Sequence, residues 1–318
     1  MKVELAAKEA QQQQCYFPLW SCENYPLLLP EGHPFPNRKY PILEELLSNT
    51  GFKSFIKRCT VVERRYLELV HTPSYIDRVL NMSLSVEELR RVGFPNGQAY
   101  VNRALASVQG TLSATREVLE RGWLCAGVLA GGTHHAFVDR GEGYCTFNDA
   151  AVAARYALQN ALDRVLIVDL DAHQGNGTAS IFASEPRVFT FSMHAEENYP
   201  RQKERSTLDL GLPLGTKDDD YLFLLREHLP IVIDYFKPDL ALFQSGVDVL
   251  AEDRFGRLGL SMEGLRQRDI FVFENCFSRR VPVVITLGGG YQRNHENVAR
   301  AHAQTFLTAS RLLHYFRE

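Results

Sequence analysis

The chain contains no CxxC pair. Its six cysteines, Cys15, Cys22, Cys59, Cys125, Cys145 and Cys276, are scattered along 318 residues, which argues against a secreted disulfide framework and makes a reducing cytosol the default. There is no long basic run, and the net charge is −3. Direct nucleic-acid binding and a membrane-surface role are therefore not expected. A cationic substrate would need a local acidic rim, which net charge does not reveal. No apolar stretch is long enough to span a bilayer. The N-terminal MKVELAAKEAQQQQ has no apolar core of signal-peptide type, so a cytoplasmic location is expected, or a nuclear one in a eukaryote. Linkers rich in Gly, Pro or Ser are missing, as are internal repeats. Residues 1–13 read as a tail and 14–318 as one domain. The GNG at 175–177 lacks the GxGxxG spacing and is no dinucleotide fingerprint.

What the chain does have is alternation. Apolar runs at 125–130, 164–170, 188–194, 239–246 and 281–287 read as buried strands, with an earlier strand in CYFPLWSC. Helical periodicity marks 39–48, 99–121, 148–161, 219–236, 262–280 and 296–315. Buried strands alternating with helices predict an α/β fold with a mainly parallel sheet covered on both faces.

Four of the runs end in unusual polar residues. CAGVLA is followed by GGTHHA, with His134 and His135. RVLIV is followed by DLDAHQGNGT, with Asp169, Asp171 and His173. DLALFQSG is followed by Asp248, and VPVVITL by GGGY, with Tyr291. In a parallel sheet these clusters share one edge, where open α/β sheets place their ligands. Carboxylate and imidazole suit zinc or a similar divalent ion. Taken singly, the residues have ordinary readings. Asp248 alone reads as a helix cap or turn, and the triglycine as a simple turn. His33, His71, His194, His228, His295, His302 and His314 are read as structural.

GGTHHA, GYCTFND, DLDAHQGNGT, QSGVD and GGGY, in this order, resemble the histone deacetylase superfamily across roughly residues 15–315. GHPFPNRKY and DVLAEDRFGRLGLS are most similar to its class IV branch and bacterial relatives. The resemblance implies a single-domain, three-layer arginase-like fold with a central eight-stranded, mainly parallel sheet. It implies zinc on Asp171, His173 and Asp248, with iron or cobalt as alternatives. His134 and His135 match the tandem histidines, Asp169 the carboxylate that orients the first, and Tyr291 the tyrosine that polarises the acyl carbonyl. Gly143 and Tyr144 match one wall of an acyl-lysine tunnel, Tyr199 the other, and Gly289 a substrate contact. A structural potassium is implied at carbonyls near Asp169, Asp171 and His173, with Ser192 and Met193 beside it.

The implied activity is hydrolysis of N-acyl-lysine in proteins or peptides, with acetyl or a longer acyl chain. His135 is read as general base and His134 as a charge-stabilising partner. Asn176 stands where the class I branch has an aspartate, which should leave His135 less basic. Two alternatives remain. One is an acetylpolyamine deacetylase, for which the acidic Asp218–Asp220 stretch is a nominal rim, though a solvated helix start is the plainer reading. The other is a zinc-bearing acyl-lysine reader. Oligomeric state is not legible.

Overall fold

The structure is a computed structural model that describes residues 15–160 and 162–316. The expected tail at 1–13 lies outside the described residues. Eight strands form one sheet: β1 (Leu19–Ser21), β2 (Ile56–Arg58), β3 (Cys125–Val128), β4 (Val165–Asp169), β5 (Val188–Ala195), β6 (Leu208–Leu212), β7 (Leu240–Gln244) and β8 (Val283–Thr286). The order is β2-β1-β3-β8-β7-β4-β5-β6, and every pairing is parallel.

Among the described residues the helices are α1 (Lys39–Asn49), α2 (Arg64–Leu67), α3 (Pro73–Leu80), α4 (Val86–Val92), α5 (Gln98–Arg121), α6 (Asp149–Gln159), α7 (Asn176–Phe182), α8 (Asp218–Phe236), α9 (Met262–Ser278) and α10 (His295–Leu313). None is long and apolar enough to cross a membrane.

The alternation along β4 explains the layering. Val165 and Ile167 pack with Ala150, Ala153, Ala154 and Ala157 of α6. Leu166 and Val168 face the opposite way, into the cluster holding Phe273 of α9 and Phe306 of α10. A strand buried on both faces needs a continuous apolar run, and RVLIV supplies it. The small alanines of α6 let that helix approach the sheet closely.

The sequence reading named six strands and missed β2 and β6. These are the two edge strands; β2 is largely exposed and β6 only partly buried. Neither carries an apolar run, since an edge strand needs burial on fewer sides. The short helices α2, α3, α4 and α7 were also missed. Helices α1, α5, α6, α8, α9 and α10 begin and end within two residues of the expected bounds. Asn148, the first residue of the expected span, caps α6 by accepting from the Ala151 N–H.

Candidate metal centre and active site

The four polar clusters follow β3, β8, β7 and β4, which are neighbours in that order at the middle of the sheet. Parallel strands put all four at one edge, so residues far apart in sequence meet. Asp171, His173 and Asp248 are buried, and their ligand atoms lie within 4.8 Å of one another. His173 Nδ1 is 3.0 Å from both Asp171 Oδ1 and Asp248 Oδ2. Its Nε2 faces the Phe255 carbonyl at 3.2 Å. The remaining carboxylate oxygens are held by main chain: Asp248 Oδ1 accepts from the Ala172 N–H (2.9 Å) and Asp171 Oδ2 from the Gly289 N–H (2.6 Å).

These residues fit a divalent metal. Two buried carboxylates oppose one imidazole nitrogen, so the interior carries an uncompensated negative pair unless a cation or a proton joins it. Burial and the Asp171 charge push the Asp248 carboxyl up to about 7 in the metal-free site. The donor set is O, O, N, and an Nε2–H donated to a carbonyl is the usual outer support of a ligating histidine. Gly289 leaves no room for a side chain, since a β-carbon there would lie 1.9 Å from Asp248 Oδ2. Gly289 thus positions the carboxylates as well as lining the adjoining cavity.

The tandem histidines stand beside this set with ring centroids 4.1 Å apart. His134 Nδ1 lies 2.7 Å from Asp169 Oδ2. Burial opposes its charge, but Asp169 and Asp171 outweigh that and hold it above the ordinary histidine range. His135 is the opposite case. Burial and the neighbouring His134 and His173 hold it well below that range.

The tautomer of His135 follows from a relay that begins at Glu142, a residue the sequence reading did not single out. The Asn176 amide donates Nδ2–H to Glu142 Oε1 (2.8 Å), which turns its oxygen toward His135 Nδ1 (2.7 Å). His135 therefore carries its proton on Nδ1 and keeps the Nε2 lone pair. Glu142 Oε1 also accepts from the Tyr199 hydroxyl (3.1 Å).

Tyr291 is fixed through its backbone. Its N–H donates to Asp253 Oδ2 (2.6 Å) and its carbonyl accepts from Arg254 Nε (2.8 Å). Burial and the charges of Asp171 and Asp248 hold its phenol protonated, well above its ordinary pKa. Its ring centroid is 6.4 Å from that of His173. Tyr144 and Tyr199 stand on either side: the Tyr199 ring is 4.9 Å from that of His135 and perpendicular to it, and the Tyr144 ring is 5.9 Å from that of Tyr291. Gly143 has φ +55, and a β-carbon there would strike His135. Ser192 pairs with Asp169 in register across β4 and β5, and its Oγ lies 2.9 Å from His194 Nδ1. Met193 is the next, buried residue of β5.

Several supporting residues escaped the sequence reading. Lys39 is fully buried, with Nζ 3.4 and 3.5 Å from the carbonyls of Gly288 and Gly290 and 5.7 Å from the Tyr291 ring centroid. Arg268 is buried in α9 and donates to the carbonyls of Gly246 (2.6 Å) and Leu170 (3.2 Å), at the strand ends that carry Asp248 and Asp171. Asp149 accepts from the N–H groups of Gly132 (3.1 Å) and Thr133 (2.8 Å), fixing the loop before the histidines. Asp149 and Lys39 each had a signal, the FND of GYCTFND and the RKY of GHPFPNRKY.

Residues 33–309 match the histone deacetylase domain. The chain belongs to the histone deacetylase family. It is 42% identical to an uncharacterized protein of Picosynechococcus sp., over 90% of this chain and 96% of that one. It is 32% identical to histone deacetylase 2 of Arabidopsis thaliana, over 84% and 71%. It is 29% identical to the acetoin utilization protein AcuC of Staphylococcus aureus, over 87% and 77%. The crystal structure of the HDA15 HD domain superposes with a TM-score of 0.76 at 22% identity, covering 94% of this chain and 99% of that one. Membership in the histone deacetylase family makes the chain a hydrolase of deacetylase type, and the buried Asp-His-Asp triad suits that family's general dependence on metal.

His71, read from sequence as structural, supports this site from behind. Its Nδ1 lies 2.9 Å from the Phe137 carbonyl and its Nε2 accepts from the Asn148 N–H at 3.0 Å. The second bond requires an unprotonated Nε2. Burial pulls the group from its ordinary value down to about 4. The unfolded chain therefore takes up this proton first as pH falls. The His71 contribution is whole above about 6.5 and is lost between there and about 4, at a cost of about 3 kcal/mol. Denaturant melts across that window should show the loss, and His71→Gln should flatten it. Equal slopes in both proteins would refute the assignment.

Proposed function

We propose that the protein is a zinc-dependent deacylase that hydrolyses N-acyl-lysine amides in proteins or peptides, residues 14–318 forming one catalytic domain. The observation that carries this reading is the meeting of a buried O, O, N triad, a neutral imidazole and a protonated phenol at the base of one tunnel. Zinc held by Asp171, His173 and Asp248 would supply a Lewis acid that polarises the acyl carbonyl and acidifies a water; the same donor set would take iron or cobalt. His135 takes the water proton on Nε2 and returns it to the leaving amine. His134, charged and held by Asp169, stabilises negative charge beside it. Tyr291 donates a hydrogen bond from its hydroxyl to the developing oxyanion. Tyr144 and Tyr199 hold the lysine stem between them.

Behind the histidines a cavity is lined by Leu27, Phe35, Tyr40, Phe94 and Tyr100. Its apolar wall supports an acyl group longer than acetyl, in keeping with the class IV resemblance. A potassium ion near Asp169, Asp171 and His173 would draw on the Ser192 hydroxyl and the Met193 main chain, and would stiffen the loop of metal ligands. The proposed setting is cytoplasmic, or nuclear in a eukaryote.

The test is a panel of lysine peptides and polyamines with increasing acyl length, assayed with zinc-loaded and chelator-treated protein. Turnover of acyl-lysine that chelation abolishes and zinc restores is expected. Turnover of acylpolyamines alone would replace the substrate, and binding of acyl-lysine without any turnover would make the protein a reader.

A further inference from the structure

The mouth of the tunnel is lined by four arginines and, among its lining residues, by no carboxylate. Arg90 and Arg91 come from the last turn of α4, and Arg254 and Arg257 from the loop after Asp248. All four are exposed. Arg91 pairs with Glu87 at 3.2 Å. Arg254 spends its donors on neutral carbonyls, those of Tyr291 and Pro34. Among the described residues Arg90 and Arg257 have no ion-pair partner. Basic residues suit the C-terminal end of a helix, which accounts for the α4 pair but not for two more arginines converging from a separate loop. That loop is held in place. Asp253 turns inward and accepts from the N–H groups of Phe255 (2.8 Å), Gly256 (3.0 Å) and Tyr291 (2.6 Å). Its charge is thus engaged away from the rim. The chain as a whole is acidic, at −3, so the basic mouth is a local feature. Exposed Phe255 and Tyr199 stand among the arginines.

Resting on the deacylase reading, we propose that this mouth selects acyl-lysine with carboxylates close to the acylated side chain and disfavours cationic contexts. Guanidinium groups match carboxylates in two-point geometry, while polyamines and lysine-rich tails meet like charge. The carboxylate has two sources, acidic neighbours in a peptide or the α-carboxylate of free acyl-lysine.

The experiment uses the zinc-loaded protein and one acyl group. It measures binding by fluorescence anisotropy, and kcat/KM, for peptides with Asp/Glu, neutral or Lys/Arg flanks, and compares free acyl-lysine with its α-amide. Acidic flanks should exceed basic flanks by about tenfold or more at low ionic strength, and added salt should narrow the gap. Arg90→Glu with Arg257→Glu should invert the acidic-to-basic ratio, and Arg90→Gln with Arg257→Gln should bring it toward one. Preference for free acyl-lysine over its amide identifies the second source and also supports the proposal. Equal kcat/KM and equal binding across all charges overturn it. Binding in the expected order without turnover supports the mouth and overturns the deacylase reading instead.

Discussion

Replacing His135 by alanine is expected to lower kcat and kcat/KM together, by about 10²–10⁴-fold, while metal content stays at the wild-type level. In the proposed site the metal would be held by other side chains, so the loss should appear in turnover alone. The imidazole suits the role because it starts neutral. Its environment holds the pKa well below the ordinary histidine value, and the relay from Glu142 through Asn176 keeps the Nε2 lone pair available. His134 cannot substitute, because Asp169 and Asp171 favour its charged form. Activity should fall only when acid protonates His135, so the acid limb of the pH–rate profile should lie below neutrality. Asn176→Asp adds a charge that favours the imidazolium and should move this limb to higher pH. Retention of near-full turnover by His135→Ala, with zinc bound, would transfer the base role to another group.

The chemistry of this site was legible because it sits at strand ends. A buried strand announces itself as an apolar run, and a polar residue directly after one has few structural excuses. That logic found Asp171, His173, Asp248, the histidine pair and Tyr291 without any contact information. It failed for Glu142 and Lys39, which lie well along the loops after β3 and β1 and not directly at a strand end. It also failed for Arg268, whose helix reads as ordinary amphipathic sequence even though its guanidinium is buried and holds two strand-end carbonyls. The basic mouth was invisible for another reason. Arg90 and Arg257 are far apart in the chain, so neither net charge nor charge runs report their meeting. The weight given to Asp218–Asp220 as a cation-binding rim is likewise resolved by position. Asp218 starts α8 and accepts from the Ser261 N–H and hydroxyl, and none of the three lines the mouth.

Asp248→Asn should abolish turnover and leave a protein whose melting temperature no longer rises with added zinc. The side chain is fully buried, and burial together with the Asp171 charge already disfavours its ionised form. An asparagine keeps an oxygen to accept from the Ala172 N–H but turns an amide N–H toward His173 Nδ1, whose proton serves Asp171 Oδ1 at 3.0 Å, so one hydrogen bond is lost. The like-charge conflict with Asp171 disappears without opening a cavity. The same change removes one of the three proposed metal ligands and should weaken metal binding by more than the roughly 10–100-fold lost with an outer partner. Added zinc should therefore raise the melting temperature of wild type, by about 2.7 kcal/mol of stabilisation at a hundredfold excess over Kd, and leave the variant unmoved. Metal analysis, paired melts with and without zinc, and turnover decide the matter. Stoichiometric zinc and retained turnover in the variant would mean that Asp248 is not a metal ligand.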